Sequence, residues 1–183
     1  MNNAFSFVGG DRGSWEITGI NEVKGVGLEP ARRLTIVNEL LSLTRPGASW
    51  VLRGFTSNVR YATAAEASRL KSVQPALGRP EATQAALIPI KKSATWWDLA
   101  QDERRRIFEE TSRHTAIGLE YLPAVARRLH HSRDLGEPFD FLTWFEFAPE
   151  HEAAFDDLLA RLRATAEWVY VEREIDIRLV RAS

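Results

Sequence analysis

The stretch Thr111–Asp134, TSRHTAIGLEYLPAVARRLHHSRD, holds two residues with chemistry to offer. His114 stands at the end of an amphipathic helical pattern in which Ile107, Phe108, Thr111 and His114 share a face. A neutral imidazole in that position can ligate a metal, or it can be a core histidine bonded to a backbone carbonyl. Arg127 follows in a β-like run, on the same side as Val125 and Leu129. A guanidinium on an apolar face needs a partner. Either a carboxylate such as Glu146 supplies it, or an anionic ligand in a pocket does. The two residues together suggest iron on one side of a pocket and a small anion on the other.

Other residues stand near this pair in the pattern. Thr143 and Phe145 share a strand face, one offering a hydroxyl and the other a ring. Glu167 closes the last helical pattern, where a carboxylate is unfavourable unless paired, and it suits the Nδ1–H of a ligating histidine. Asn58, Tyr61, Lys91 and Lys92 are polar groups able to reach carboxylates. Trp96 and Trp97 are adjacent in a chain with six tryptophans, and such rings fill cores, interfaces or pockets for flat cofactors. His130, His131 and His151 read as surface histidines. No HExxH is present, so a zinc site has no support.

The elements that must position these residues follow from periodicity. Strands are expected over Ser14–Val23, Ser49–Ser57, Ala124–Arg133, Phe141–Phe147 and Trp168–Val180, with a short apolar run at Ala86–Ile90. Helices are expected over Pro30–Leu43, over Thr63–Val73, before His114 and after Pro149. The second half runs strand–helix–strand–strand–helix–strand, a ferredoxin-like order. The first half looks like an abbreviated copy. The fold class is therefore α+β, with a truncated N-terminal unit over residues 1–80 and a complete one over 81–183, packed as one compact body.

Composition narrows the function classes. The 183 residues carry a formal net charge of −1, which gives no field for nucleic acid or an anionic membrane. Cysteine is absent, which removes disulfides, thiolate-ligated haem and cysteine nucleophiles. No window has the length of a membrane span, and the N-terminus does not resemble a signal peptide. A cytoplasmic protein is expected.

The segments GFTSNVRY, IPIKKSATWWDL, SRHTAIGLEY, VARRL and TWFEF, followed by Glu167, resemble the chlorite dismutase family in order and spacing. The resemblance runs from about Asn58 to the C-terminus and points to the family's short, dimeric lineage. It implies two ferredoxin-like units forming a dimeric α+β barrel, with one haem b in the second unit. It makes His114 the proximal iron ligand and Glu167 the acceptor of its Nδ1–H. It makes Arg127 the catalytic distal arginine, with Leu129, Thr143 and Phe145 lining the distal pocket. Asn58, Tyr61, Lys92, Trp96 and Trp97 would contact the haem edge or propionates, or lie close to it. The implied activity converts chlorite to chloride and dioxygen through a ferryl/hypochlorite intermediate, in a homodimer. A related group decarboxylates coproporphyrin haem. It lacks the distal arginine and carries a tyrosine where Ile88 aligns approximately here. A non-enzymatic haem-binding protein is the further alternative.

Overall fold

The computed structural model describes residues 3–56 and 61–182. Eight antiparallel strands close into a barrel in the order β1-β3-β2-β8-β5-β7-β6-β4. They are β1 (Ala4–Gly10), β2 (Trp15–Lys24), β3 (Arg33–Val37), β4 (Ala48–Thr56), β5 (Gln84–Lys92), β6 (Ala126–His131), β7 (Phe141–Phe147) and β8 (Val171–Arg181). Each half contributes four neighbouring strands in the spatial order fourth–first–third–second. The halves are joined by a long seam, β2 with β8, and by a second seam, β4 with β6, in which, among the described residues, Phe55 and Thr56 pair with His131 and His130.

Helix α1 (Ala64–Val73) starts with a capping box: the Thr63 hydroxyl accepts from the Glu66 N–H, and the Glu66 carboxylate accepts from the Thr63 N–H. Helices α2 (Ala94–Asp98), α3 (Gln101–Arg105), α4 (His114–Glu120) and α5 (Glu152–Arg163) all lie between strands of the second half. The expected helix over Pro30–Leu43 is not formed. Residues 33–37 pair as β3 with both β1 and β2, because the apolar Leu34 and Ile36 also satisfy the period of a strand. The first strand, β1, was not anticipated. None of the described helices is long and apolar enough to cross a membrane.

Alternation along the strands separates two cores. Phe7, Leu34, Leu87, Trp144, Ile175 and Ile177 fill the barrel interior. On the outer face of the second half, Ala86, Ile88, Phe145 and Phe147 pack against Phe155, Leu158, Leu159 and Leu162 of α5. Phe155 is fully buried and lies 5.0 Å from Phe145 and 4.6 Å from Phe147, measured between ring centroids.

His130 and His131 are buried, not on the surface. Being adjacent on β6, they face opposite sides of the sheet. His130 meets Phe5 and Phe7 edge-on, and His131 meets Phe141. Burial pushes the His130 imidazole down to about 4.

Replacing Phe155 by alanine removes the ring that fastens α5 to the sheet. A loss of about 3–5 kcal/mol is expected, seen as a lower urea midpoint at unchanged slope.

Candidate functional site

A cleft lies between the outer face of the second-half sheet and helices α4 and α5. Register places the sheet residues. Arg127 is paired with Phe145, Leu129 with Thr143, and Thr143 in turn with Ile88. All five therefore share one face. Arg127, Thr143, Phe145 and Ile88 line the cleft, with His114 and Trp168 on the helical side. Leu129 is on the same face but outside that lining.

His114 is the first residue of α4, not the last of a longer helix. The preceding helix widens into a π-helical turn over Arg106–Thr111, and Arg113 takes a left-handed conformation at φ 54. The bend leaves the first amides of α4 without helical partners. Glu109 fills that role, accepting from the N–H groups of Thr115 at 2.8 Å and Ala116 at 3.3 Å. The chain thus turns His114 into the cleft and holds it there.

The Nδ1 of His114 lies 2.7 Å from Oε2 of Glu167. Nε2 has no hydrogen bond to any described residue. With a carboxylate on Nδ1, that nitrogen carries the proton and Nε2 keeps its lone pair for a ligand. Glu167 is itself buried. Its Oε1 accepts from Lys92 Nζ at 2.6 Å, and its backbone N–H donates to the Ser112 hydroxyl at 3.0 Å. Burial raises the Glu167 carboxyl, but the His114 ring and the Lys92 ammonium outweigh it and bring the group down to about 2. Burial pushes Lys92 below the usual lysine range, against the pull of Glu167, Asp140 and Glu174.

Arg127 presents the opposite situation. Its guanidinium makes no hydrogen bond or ion pair with any described residue. Loss of water alone pushes it below the usual arginine range. Glu146, the candidate carboxylate partner, is turned away: it accepts from Trp144 Nε1 at 2.9 Å and from the Gly78 N–H at 2.5 Å. The backbone of Arg127 is held, since Gln74 Nε2 donates to its carbonyl at 2.6 Å.

The remaining residues expected near a cofactor edge divide. Trp96 is buried, with Tyr61 edge-on at 5.9 Å and an indole N–H that has no partner among the described residues. The Tyr61 hydroxyl accepts from Arg104 at 3.3 Å. The Lys92 ammonium is paired with Glu167, as a buried cation requires. Lys91 pairs at the surface with Glu172. Trp97 donates to Asp140 Oδ2 at 3.1 Å, stacks on Phe141 and lies under Arg133, outside the cleft. Asn58 lies outside the described residues. Glu109, Gln74 and Trp168 were missed as site residues: Gln74 and Trp168 act through contacts between distant segments, and Glu109 through a local bend after the π-helical turn that no simple period shows.

Because the Glu167 value in the fold lies below the ordinary 4.5, the carboxylate contributes stability above that pH and loses it as pH falls toward about 2. Glu167→Gln is expected to flatten that limb of the acid-unfolding curve, followed by circular dichroism. An unchanged limb would place the acid-labile stability elsewhere.

Comparison with known proteins closes the site description. The family model described as chlorite dismutase matches residues 30–182. A dimeric chlorite dismutase structure from Nitrobacter winogradskyi is 57% identical, with a TM-score of 0.91 over 97% of this chain and 99% of that one. The chlorite dismutase of Candidatus Nitrospira defluvii in complex with imidazole is 29% identical, with a TM-score of 0.59 over 73% of this chain and 55% of that one. The chlorite dismutase of Ideonella dechloratans is 37% identical over 86 residues, 47% of this chain but only 28% of that protein. With the family model matching residues 30–182, most of its length, the chain belongs to the chlorite dismutase family.

Proposed function

We propose that the protein is a haem b oxidoreductase that converts chlorite to chloride and dioxygen, acting as a homodimer of two fused ferredoxin-like units per chain, divided near residue 80. The observation that carries this reading is the unpartnered guanidinium of Arg127, on the same cleft as an imidazole whose Nδ1 is already engaged. A cationic group without a carboxylate calls for an anion. A free Nε2 calls for a metal.

The residues present fit haem. The cleft is walled mostly by apolar side chains, as a flat macrocycle requires. Gly118, one turn after His114 and on the cleft, has open space where a side chain would stand. His114 would hold the iron through Nε2. Trp96, whose indole N–H has no partner among the described residues, and Tyr61 would meet the haem edge, and by the family resemblance so would Asn58.

When bound, haem supplies the redox chemistry. The protein supplies position and field. Glu167 fixes the tautomer of His114 and makes its free nitrogen a stronger donor. Arg127 attracts chlorite and orients it with two parallel N–H groups. The same charge keeps hypochlorite in the cleft until its oxygen has been recovered as dioxygen. Thr143, Phe145 and Leu129 give this side few proton donors. That favours oxygen recombination over proton-assisted peroxide chemistry. The coproporphyrin decarboxylase alternative is disfavoured by Arg127, and by Ile88 on the cleft wall.

An oxygen electrode tests the proposal. The haem-loaded protein should release dioxygen from chlorite; a loaded protein that releases none leaves a carrier or a decarboxylase. Arg127→Ala should retain haem, lose turnover and leak more free hypochlorite to a chlorination trap. Oxygen yield and enzyme lifetime equal to the parent would remove Arg127 from the mechanism. His114→Ala should fail to retain haem through gel filtration. Full occupancy with an unaltered iron spectrum would overturn the ligand assignment.

A further inference from the structure

The hydrogen bond from His114 to Glu167 holds one atom of the ring but does not settle its plane, since a carboxylate oxygen accepts over a broad range of directions. Two flat rings do that. Phe108 stacks on the imidazole at 4.3 Å and 20°, and Trp168 lies beside it at 6.3 Å and 18°. Phe108 is carried by the π-helical turn. Trp168 directly follows Glu167 in a 3-10 turn, Ala166–Tyr170, and its own orientation needs an anchor.

That anchor is Glu174. The Trp168 indole N–H donates to Glu174 Oε2 at 2.8 Å. Glu174 is fully buried, and its Oε1 accepts from Arg163 Nε at 2.9 Å. Arg163 is tied in turn to Asp176, and Asp176 to Arg178. The carboxylate is therefore pinned on both oxygens. On β8, Glu174, Asp176 and Arg178 face outward, while Ile175, Ile177 and Leu179 fill the barrel core.

We propose that Glu174 is a positioning residue that fixes the plane of the His114 imidazole by holding the Trp168 indole. The proposal rests on His114 being the haem ligand. Through this link a rigid barrel strand sets how the imidazole is rotated over the iron. No other described side chain accepts from the Trp168 N–H. Glutamine cannot replace Glu174, because Arg163 and Trp168 donate to different carboxylate oxygens and the amide NH2 would face one of those donors.

The test compares Glu174→Gln, Trp168→Phe and the double variant, each checked for an intact thermal transition. In haem-free, 15N-labelled protein, Glu174→Gln should move the Trp168 indole resonance. It should also shift the His114 ring protons as the indole face leaves them. In the ferric haem-loaded protein, the electron paramagnetic resonance signal should change its rhombic splitting. Turnover should fall about tenfold at unchanged KM. Phenylalanine at 168 keeps a flat ring and needs no acceptor, so Glu174→Gln should have no further effect on His114 or the iron signal in that background. An effect that persists there would mean that Glu174 acts by holding α5, and would overturn the proposal. Unchanged His114 protons and an unchanged iron signal in Glu174→Gln would do the same. If Glu174→Gln fails to fold, Trp168→Ala, which leaves the Glu174–Arg163 pair intact, tests the same link. Loss of the single His114 orientation supports the proposal, and its retention defeats it. A parent protein that takes up no haem would instead defeat the haem assignment, and is told apart by the absent Soret band.

Discussion

The site depends on one buried carboxylate. Glu167 sits between an imidazole at 2.7 Å and an ammonium at 2.6 Å, out of water. A lone carboxylate there would cost several kcal/mol, so it persists as an anion only because both partners are present. Each partner comes from a different part of the fold: Lys92 ends β5, and His114 opens α4. The carboxylate therefore welds sheet to helix at the point where the cleft begins. The Arg127 side of the same cleft lacks such a weld, and the contrast between the two sides is what gives the site its chemistry.

Sequence periodicity made part of this legible. The strand face shared by Arg127, Leu129, Thr143 and Phe145 follows from alternation, and the register bears it out. The α5 stripe of Phe155, Leu158, Leu159 and Leu162 was equally plain. The pairing of His114 with Glu167 was implied by the family resemblance, not by residue type alone, and is present in the fold. The capping box at Thr63 places the start of α1 where it was expected.

What was illegible has physical causes. Residues 33–37 carry apolar side chains compatible with a helix or a strand, and pairing with β1 decided the matter. The burial of His130 and His131 depends on barrel closure, which local composition does not encode. The partners of Lys92 and Trp97, Glu167 and Asp140, are carboxylates from distant segments that no local pattern pairs with them. The π-helical turn that delivers His114 inserts a residue's worth of rotation, which no simple 3.6-residue period anticipates.

The two seams of the barrel have a mechanical consequence. Strand β5, which carries Lys92, is flanked along its length by β7 and β8, so the His114 imidazole is tied through Glu167 and Lys92 to a strand paired on both edges. Strand β6 pairs with β7 over its whole length, and on its other edge, among the described residues, Phe55 and Thr56 of β4 pair with its His131 and His130, while the Gln74 side chain takes up the carbonyl of Arg127. The imidazole and the guanidinium on the cleft thus hang from different strands of one closed shell, so a deformation of the barrel changes the spacing between them.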